Sequence, residues 1–451
     1  MQCLRAAIPS TRAHPHLTQH TSRGLISASP GPMPASTTIN DRDALNRIYR
    51  RSRAIALAAL CVAVLVGCPS DHRIAAPVPL SPAQARALIS RLLPPSTGDR
   101  SGWATDIYAA FAALQIAPTP ENICAVVAVT EQESSFRTDP PVPQLAAIAW
   151  KEIDKQGKRV HVPRLVVRTA LHLPSSNGKS YSRRIDAAKT ERELSEIFED
   201  FIGRVPMGKR FFAERNPVRT GGPMQVGIAF AEAHAAAKTY PYPVPDTIRH
   251  EVFTRRGGMY FGIAHLLDYP TSYDKLLYRF ADFNAGHYAS RNAAFQNAVS
   301  IVSGIPLDLD GDLMRYGKDA RRGPGSTEVA TRTLAKRLEM SVAAIHRDLQ
   351  RGETLTFERT ALYERVFSLA DKVRRGQVPR ALVPHIRLQS PKITRKRTTE
   401  WFANRVDEHR RQCLLRSSPK RAESATDATA ITPTTDSVKL AMPNVTANAD
   451  R

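Results

Sequence analysis

A chain of 451 residues with 42% hydrophobic side chains can bury one large core or two smaller ones, which excludes a disordered protein. Its 64 lysines and arginines against 42 carboxylates leave a formal charge of +22, so an anionic neighbour is expected: nucleic acid, an anionic membrane surface or an acidic polymer. Charge alone does not choose among them.

Arg47, Arg50, Arg51 and Arg53 precede the apolar run AIALAALCVAVLVGC, too short for a comfortable spanning helix, so residues 1–67 read as a secretion signal. Residues upstream of Met33 fit no signal pattern, which makes Met33 an alternative start. Leu65-Val66-Gly67-Cys68 resembles the lipobox of bacterial lipoproteins, in which the cysteine is acylated and becomes the mature N-terminus. The plainer alternative, a short buried helix ending in a core cysteine, sits poorly beside an arginine cluster. An exported chain meets no chromosomal DNA, and nucleic acid drops out as the partner. Cys3 and Cys61 leave with the signal, so the body keeps Cys124 and Cys413. An envelope compartment allows a disulfide between them; buried free cysteine is the alternative.

Residues 68–80 form a proline-rich tether. Ser81-Pro82 reads as a cap and first turn opening a helix, and Thr119-Pro120 opens another after the break at Pro118. Residues 137–220 hold many lysines and arginines, a strand-like RVHVPRLVVRTAL, a PSSNGKS turn and a helix around ERELSEIFEDFIGRV. Residues 222–301 are helical again, interrupted by TYPYPVPDT; 302–415 form a helical extension in which TRTLAKRLEMSVAAIHRDL reads as an amphipathic packing helix; 416–451 read as a disordered tail.

In the helix opened by Thr119, Val126, Val127 and Thr130 group with Ile123 on one stripe, and Glu131 and Glu133 flank its two edges. Periodicity does not choose between the glutamates. Either stands where a core boundary favours a protonated carboxyl.

Two distant segments add to the pattern: GGPMQVG at 221–227 and ADFNAGHY at 281–288. The ordered set ESSF, GPMQV and FNAG resembles the signature of lytic transglycosylases with a goose-type lysozyme-like fold. The resemblance covers 103–301 and implies a mainly α, lysozyme-like catalytic domain over 81–301, with 137–220 as a basic insertion. It implies Glu133 as catalytic acid and base, Phe136 as packing below the site, and Ser134, Gly222, Met224, Gln225, Asn284, Ala285 and Gly286 as groove lining. GGMYFGIAHLLDY resembles the helix between the second and third motifs, with Gly262 permitting close approach and Tyr260 near the sugar. Two positions depart from the pattern: Pro223, and Phe283 where tyrosine is usual, which removes a phenol from the site. The sequence also resembles a proteobacterial lipoprotein family left without an assigned function.

In lytic transglycosylases one glutamate protonates the glycosidic oxygen and then takes a proton from the muramoyl C6 hydroxyl, which closes an anhydro ring. Hydrolysis needs a second carboxylate. Glu131, Asp139 and Asp282 are the local candidates, each with a plainer reading: a solvated helix charge, a turn residue and a surface residue. Tyr260 and Tyr288 are candidate stacking faces, with core packing as the alternative. His265 and His287 resemble no zinc-site spacing. Asp308 to Asp319 place aspartates at positions 1, 3, 5 and 12 of a calcium-type loop but put Leu313 where glycine is needed, so a capping turn is the plainer reading.

The expected protein is thus a peptidoglycan lytic transglycosylase, anchored by lipid at Cys68, in the outer membrane facing the periplasm, needing no cofactor or metal. A muramidase on the same fold is one alternative. A non-catalytic lipoprotein that binds peptidoglycan, or joins an envelope protein complex, is the other.

Overall fold

Ser81 Oγ accepts a hydrogen bond from Gln84 N, and Gln84 Oε1 accepts one from Ser81 N, so the predicted cap becomes a full capping box on the first described helix. The computed structural model describes residues 80–388 and 397–417. The signal, Cys68, most of the tether and the tail from 418 onward lie outside the described residues. α1 (Pro82–Leu92), α2 (Arg100–Ala113) and α3 (Pro120–Ser134) lead the chain. Thr119 caps α3 as predicted, accepting from Asn122 N at 3.2 Å.

The inserted region supplies α4 (Leu145–Arg159), α5 (Arg164–Leu171), α6 (Tyr181–Ala187), α7 (Glu191–Arg204) and α8 (Gly208–Phe212). RVHVPRLVVRTAL is not a strand. Residues 160–163 turn between α4 and α5, with Val162 N donating to Gly157 O at 2.9 Å. Beyond Pro163 only Val167 and Leu171 point inward, a spacing of four that strands do not produce. The PSSNGKS turn and the 191–204 helix form as predicted.

β1 (Thr220–Gly221) and β2 (Val226–Gly227) pair antiparallel, Thr220 opposite Gly227, as a hairpin whose loop is Gly222-Pro223-Met224-Gln225. α9 (Ile228–Ala237), α10 (Ile248–Val252), α11 (Arg255–Leu267), α12 (Leu276–Ala285) and α13 (Ala289–Ser303) follow, then α14 (Ser326–Thr333), α15 (Val342–Leu349), α16 (Ala361–Arg374) and α17 (Thr399–Leu415). The 331–349 segment is not one helix. It breaks after Thr333, passes through left-handed Glu339, and restarts where Ser341 Oγ accepts from Ala344 N. The fold is mainly α, and among the described residues no helix is long and apolar enough to cross a membrane.

Two cores result. The first gathers Ile89, Phe111, Val126, Phe261, Phe280 and Phe402 from α1, α2, α3, α11, α12 and α17, and the inserted helices join it through Leu171, Tyr181 and Ile197. The second gathers Phe295, Leu334, Ile345, Leu362 and Phe367 from α13 to α16. The 302–415 segment is therefore not a single extension: its last helix crosses back onto α3 and α12. Cys413 on α17 is disulfide-bonded to Cys124 on α3, and Arg416 Nε donates to Leu92 O at 3.0 Å. Helix α3 is buried all round from Ile123 to Thr130, so the stripe of Ile123, Val126, Val127 and Thr130 is only part of its buried surface.

Candidate active site around Glu133

Glu133 lies in the last turn of α3 and is 3% exposed. The helix ends there because Ser135 and Phe136 both take left-handed backbone, φ 50° and 60°. Bulky non-glycine residues avoid that region, so the turn is held by its surroundings. Phe136 packs edge-on against Trp103 with ring centroids 5.2 Å apart, beneath the helix end. Left-handed backbone recurs in the other two motifs, at Gly222 and Gln225 and at Gly286 and Tyr288.

The second motif is the hairpin loop, and its support is α11. Gly258 and Gly262 stand one turn apart on that helix; a Cβ on Gly258 would overlap the Pro223 ring, and one on Gly262 would meet Met224 Sδ at 2.5 Å. Gly262 thus admits the methionine rather than a neighbouring helix. Gln225 is held within the loop: its Nε2 donates to Gly222 O at 3.1 Å and its Oε1 accepts from Thr220 Oγ1 at 3.3 Å. Next to Gly258 on α11, Met259 Sδ meets Thr130 Oγ1 at 3.9 Å, one turn before Glu133. Helix α11 is therefore the common support of the first two motifs.

The third motif ends α12. Asn284 and Ala285 are partly exposed and Gly286 is exposed. Asn284 Oδ1 accepts from Thr399 Oγ1 at 2.9 Å, so α17 reaches both this motif and α3. It also meets Glu131, whose carboxylate pairs with His409 Nδ1 at 3.4 Å; that hydrogen bond holds Glu131 below its usual range against the pull of burial.

Several expected groove contacts lie inside the core. Met224 is fully buried in its glycine cleft. Tyr260 is enclosed by Tyr240, His234 and Phe261, and Tyr288 donates its hydroxyl to Pro270 O at 3.1 Å. Ser134 is buried too, its hydroxyl turned back to Thr130 O at 3.1 Å.

Asp282 is not on the surface but fully buried, accepting from Tyr273 Oη at 2.7 Å, Tyr269 Oη at 3.2 Å, Tyr288 N at 2.9 Å and Ser290 N at 2.7 Å. Burial pushes its carboxyl up to about 6. It joins the end of α12 to the start of α13. Asp139 is half-buried, and burial raises its carboxyl. His265 and His287 stack at 4.5 Å, and His287 Nε2 donates to His265 O at 2.7 Å. Burial lowers both, His287 to about 4. The aspartate-rich loop is a structural turn: Asp310 Oδ1 accepts from Gln296 Nε2 at 2.7 Å, and Leu313 is buried in the second core. Among the described residues no group of His, Cys, Asp and Glu is arranged to hold a metal.

Sequence reasoning missed one buried carboxylate beside the hairpin. Glu251 accepts from Tyr240 Oη at 2.7 Å and from Arg256 Nη2 at 2.8 Å. Burial pulls it upward, yet the Arg256 and Tyr240 hydrogen bonds prevail and hold it below its usual range. Its neighbour Val252 covers Gly222. The tyrosines of TYPYPVPDT were the available signal.

A mainly helical protein with two apolar cores is the class this architecture defines. The chain belongs to the family described as "Protein of unknown function (DUF1615)", matched over residues 96–416, which spans α2 to the end of α17. It is 52% identical over 362 residues to "Uncharacterized protein YaiW" of Escherichia coli (strain K12), covering 79% of this chain and 97% of that protein. No solved structure matches it.

Proposed function

We propose that the protein is a peptidoglycan lytic transglycosylase of lysozyme-like architecture, with Glu133 as its acid and base. One observation carries the reading: Glu133 is a buried carboxylate at the left-handed end of α3, and two of the three candidates for a second carboxylate are engaged, Glu131 by His409 and Asp282 by four donors. That set suits one-carboxylate chemistry better than hydrolysis by a pair.

In the proposed reaction Glu133 protonates the glycosidic oxygen as the bond from the muramoyl C1 breaks, releasing the leaving sugar as an alcohol. The muramoyl C6 oxygen then bonds to C1, and its proton returns to Glu133. Gln225, Asn284, Ala285 and Gly286 would line the glycan groove. The same reading puts the protein in the cell envelope on a Cys68 lipid anchor. The Cys124–Cys413 disulfide supports an oxidising compartment, and the +22 charge suits a wall rich in carboxylates.

The test is incubation of the protein with purified wall and mass analysis of the soluble products. Anhydro-ended muropeptides, lighter than hydrolysed ones by one water, are expected. Reducing-end products would instead identify a muramidase. A second reading, wall binding without cleavage, is favoured by the Thr399–Asn284 bond and the full burial of Met224; pelleting with the wall and no product release would establish it.

A further inference from the structure

The turn between α4 and α5 presents aliphatic side chains to solvent where a helical hairpin would ordinarily be polar. Leu165 is 78% exposed and Val166 55%, and Val160 and Val162 beside them are also exposed. Val167 and Leu171 anchor α5 on its inner side, so Leu165, Val166 and Thr169 share the outer face. The hairpin carries six cations, Lys151, Lys155, Lys158, Arg159, Arg164 and Arg168, against two carboxylates. Glu152 pairs with Lys155, and Asp154 with Arg164 and Arg168, which lies over the Trp150 ring at 3.8 Å. Among the described residues no carboxylate pairs with Lys151, Lys158 or Arg159, all exposed.

An apolar tip beside a cleft lined by cations complements one environment in particular: acyl chains below a layer of anionic headgroups. A soluble polyanion would use the cations and leave the aliphatics in water, which is why their position at the tip decides for a membrane. We infer that the α4–α5 hairpin docks the protein on an anionic lipid surface, with Val160, Val162, Leu165 and Val166 entering the headgroup boundary. This contact is additional to the proposed anchor at Cys68 and independent of the wall chemistry.

The experiment is hydrogen–deuterium exchange on the full chain with phosphatidylglycerol-containing vesicles, with pure phosphatidylcholine vesicles, and with soluble polyglutamate. Slowed exchange over residues 157–168 is expected with the anionic vesicles alone. In a Leu165→Ser/Val166→Ser variant the protection should fall at least tenfold, and a Lys158→Gln/Arg159→Gln variant should weaken it and its salt sensitivity. Both pairs are exposed, so the fold should survive, which unchanged cleavage or pelleting of free wall would check. No protection on anionic vesicles, or undiminished protection in the serine variant, overturns the inference. Equal protection by polyglutamate overturns it in favour of a polymer partner.

Discussion

Thr399 donates its hydroxyl to the side-chain oxygen of Asn284 over 2.9 Å, so a residue 115 positions downstream orients the asparagine of the third motif. Thr399 is fully buried at the start of α17. Thr399→Val keeps the shape and removes the donor. It should cost about 1 kcal/mol in a urea titration. If the groove reading holds, it should also alter KM for wall fragments more than kcat.

Glu133→Gln keeps the volume of the side chain and removes its capacity to exchange a proton. Release of anhydro-muropeptides should fall by about a hundredfold or more, with circular dichroism and wall binding unchanged. Full activity in this variant would remove Glu133 from the mechanism.

Breaking the Cys124–Cys413 bond releases a closure of 289 residues between α3 and α17. By loop-closure entropy, Cys413→Ser should cost about 5–6 kcal/mol, read as a lower urea midpoint. Reductant should reproduce the loss in the wild type and leave the variant unaffected.

Gly258→Ala sets a methyl group against Pro223 and the Val252 carbonyl. Overpacking of about 1–3 kcal/mol should exceed the helix-propensity gain of about 1 kcal/mol, so the variant should be less stable. Gly98 has open space around the added Cβ, and Gly98→Ala is the control, with little expected change.

The caps at Ser81 and Thr119, the 174–180 turn and the 191–204 helix were legible because each is specified by residues within a few positions of one another. The partners of Asp282 were not. Tyr269, Tyr273, Tyr288 and Ser290 are scattered along two loops and a helix, and only folding brings them onto one carboxylate. The motifs located Glu133 on its helix, yet they misplaced Met224 and Tyr260, because a short motif cannot tell a wall of a groove from the packing behind it. The return of α17 had no local signal beyond a lone cysteine at each end.

Buried titratable groups make stability depend on pH in both directions. His287 falls from an ordinary 6.5 to about 4 in the folded chain, and His265 is also lowered. Their stabilisation is whole above about pH 6.5 and is lost as pH falls through the folded value, on the order of 3 kcal/mol for His287. Asp282 works the other way: its pKa rises from 3.8 to about 6, so its contribution is whole below about pH 4 and lost as pH rises through 6. From pH 6.5 to 4 the loss at His287 and the gain at Asp282 oppose each other in the urea midpoint. Relative to the wild type, His287→Gln should make acid less destabilising over that range, and Asp282→Asn should make it more so.

Because α17 completes the core built by α1 to α3, the earliest described helices are finished by the last one synthesised. The first core therefore cannot close until nearly the whole chain is available, with residues 294–378 already able to gather into a core of their own. A chain ending before residue 397 should leave α3 with a bare apolar flank and collect in aggregates.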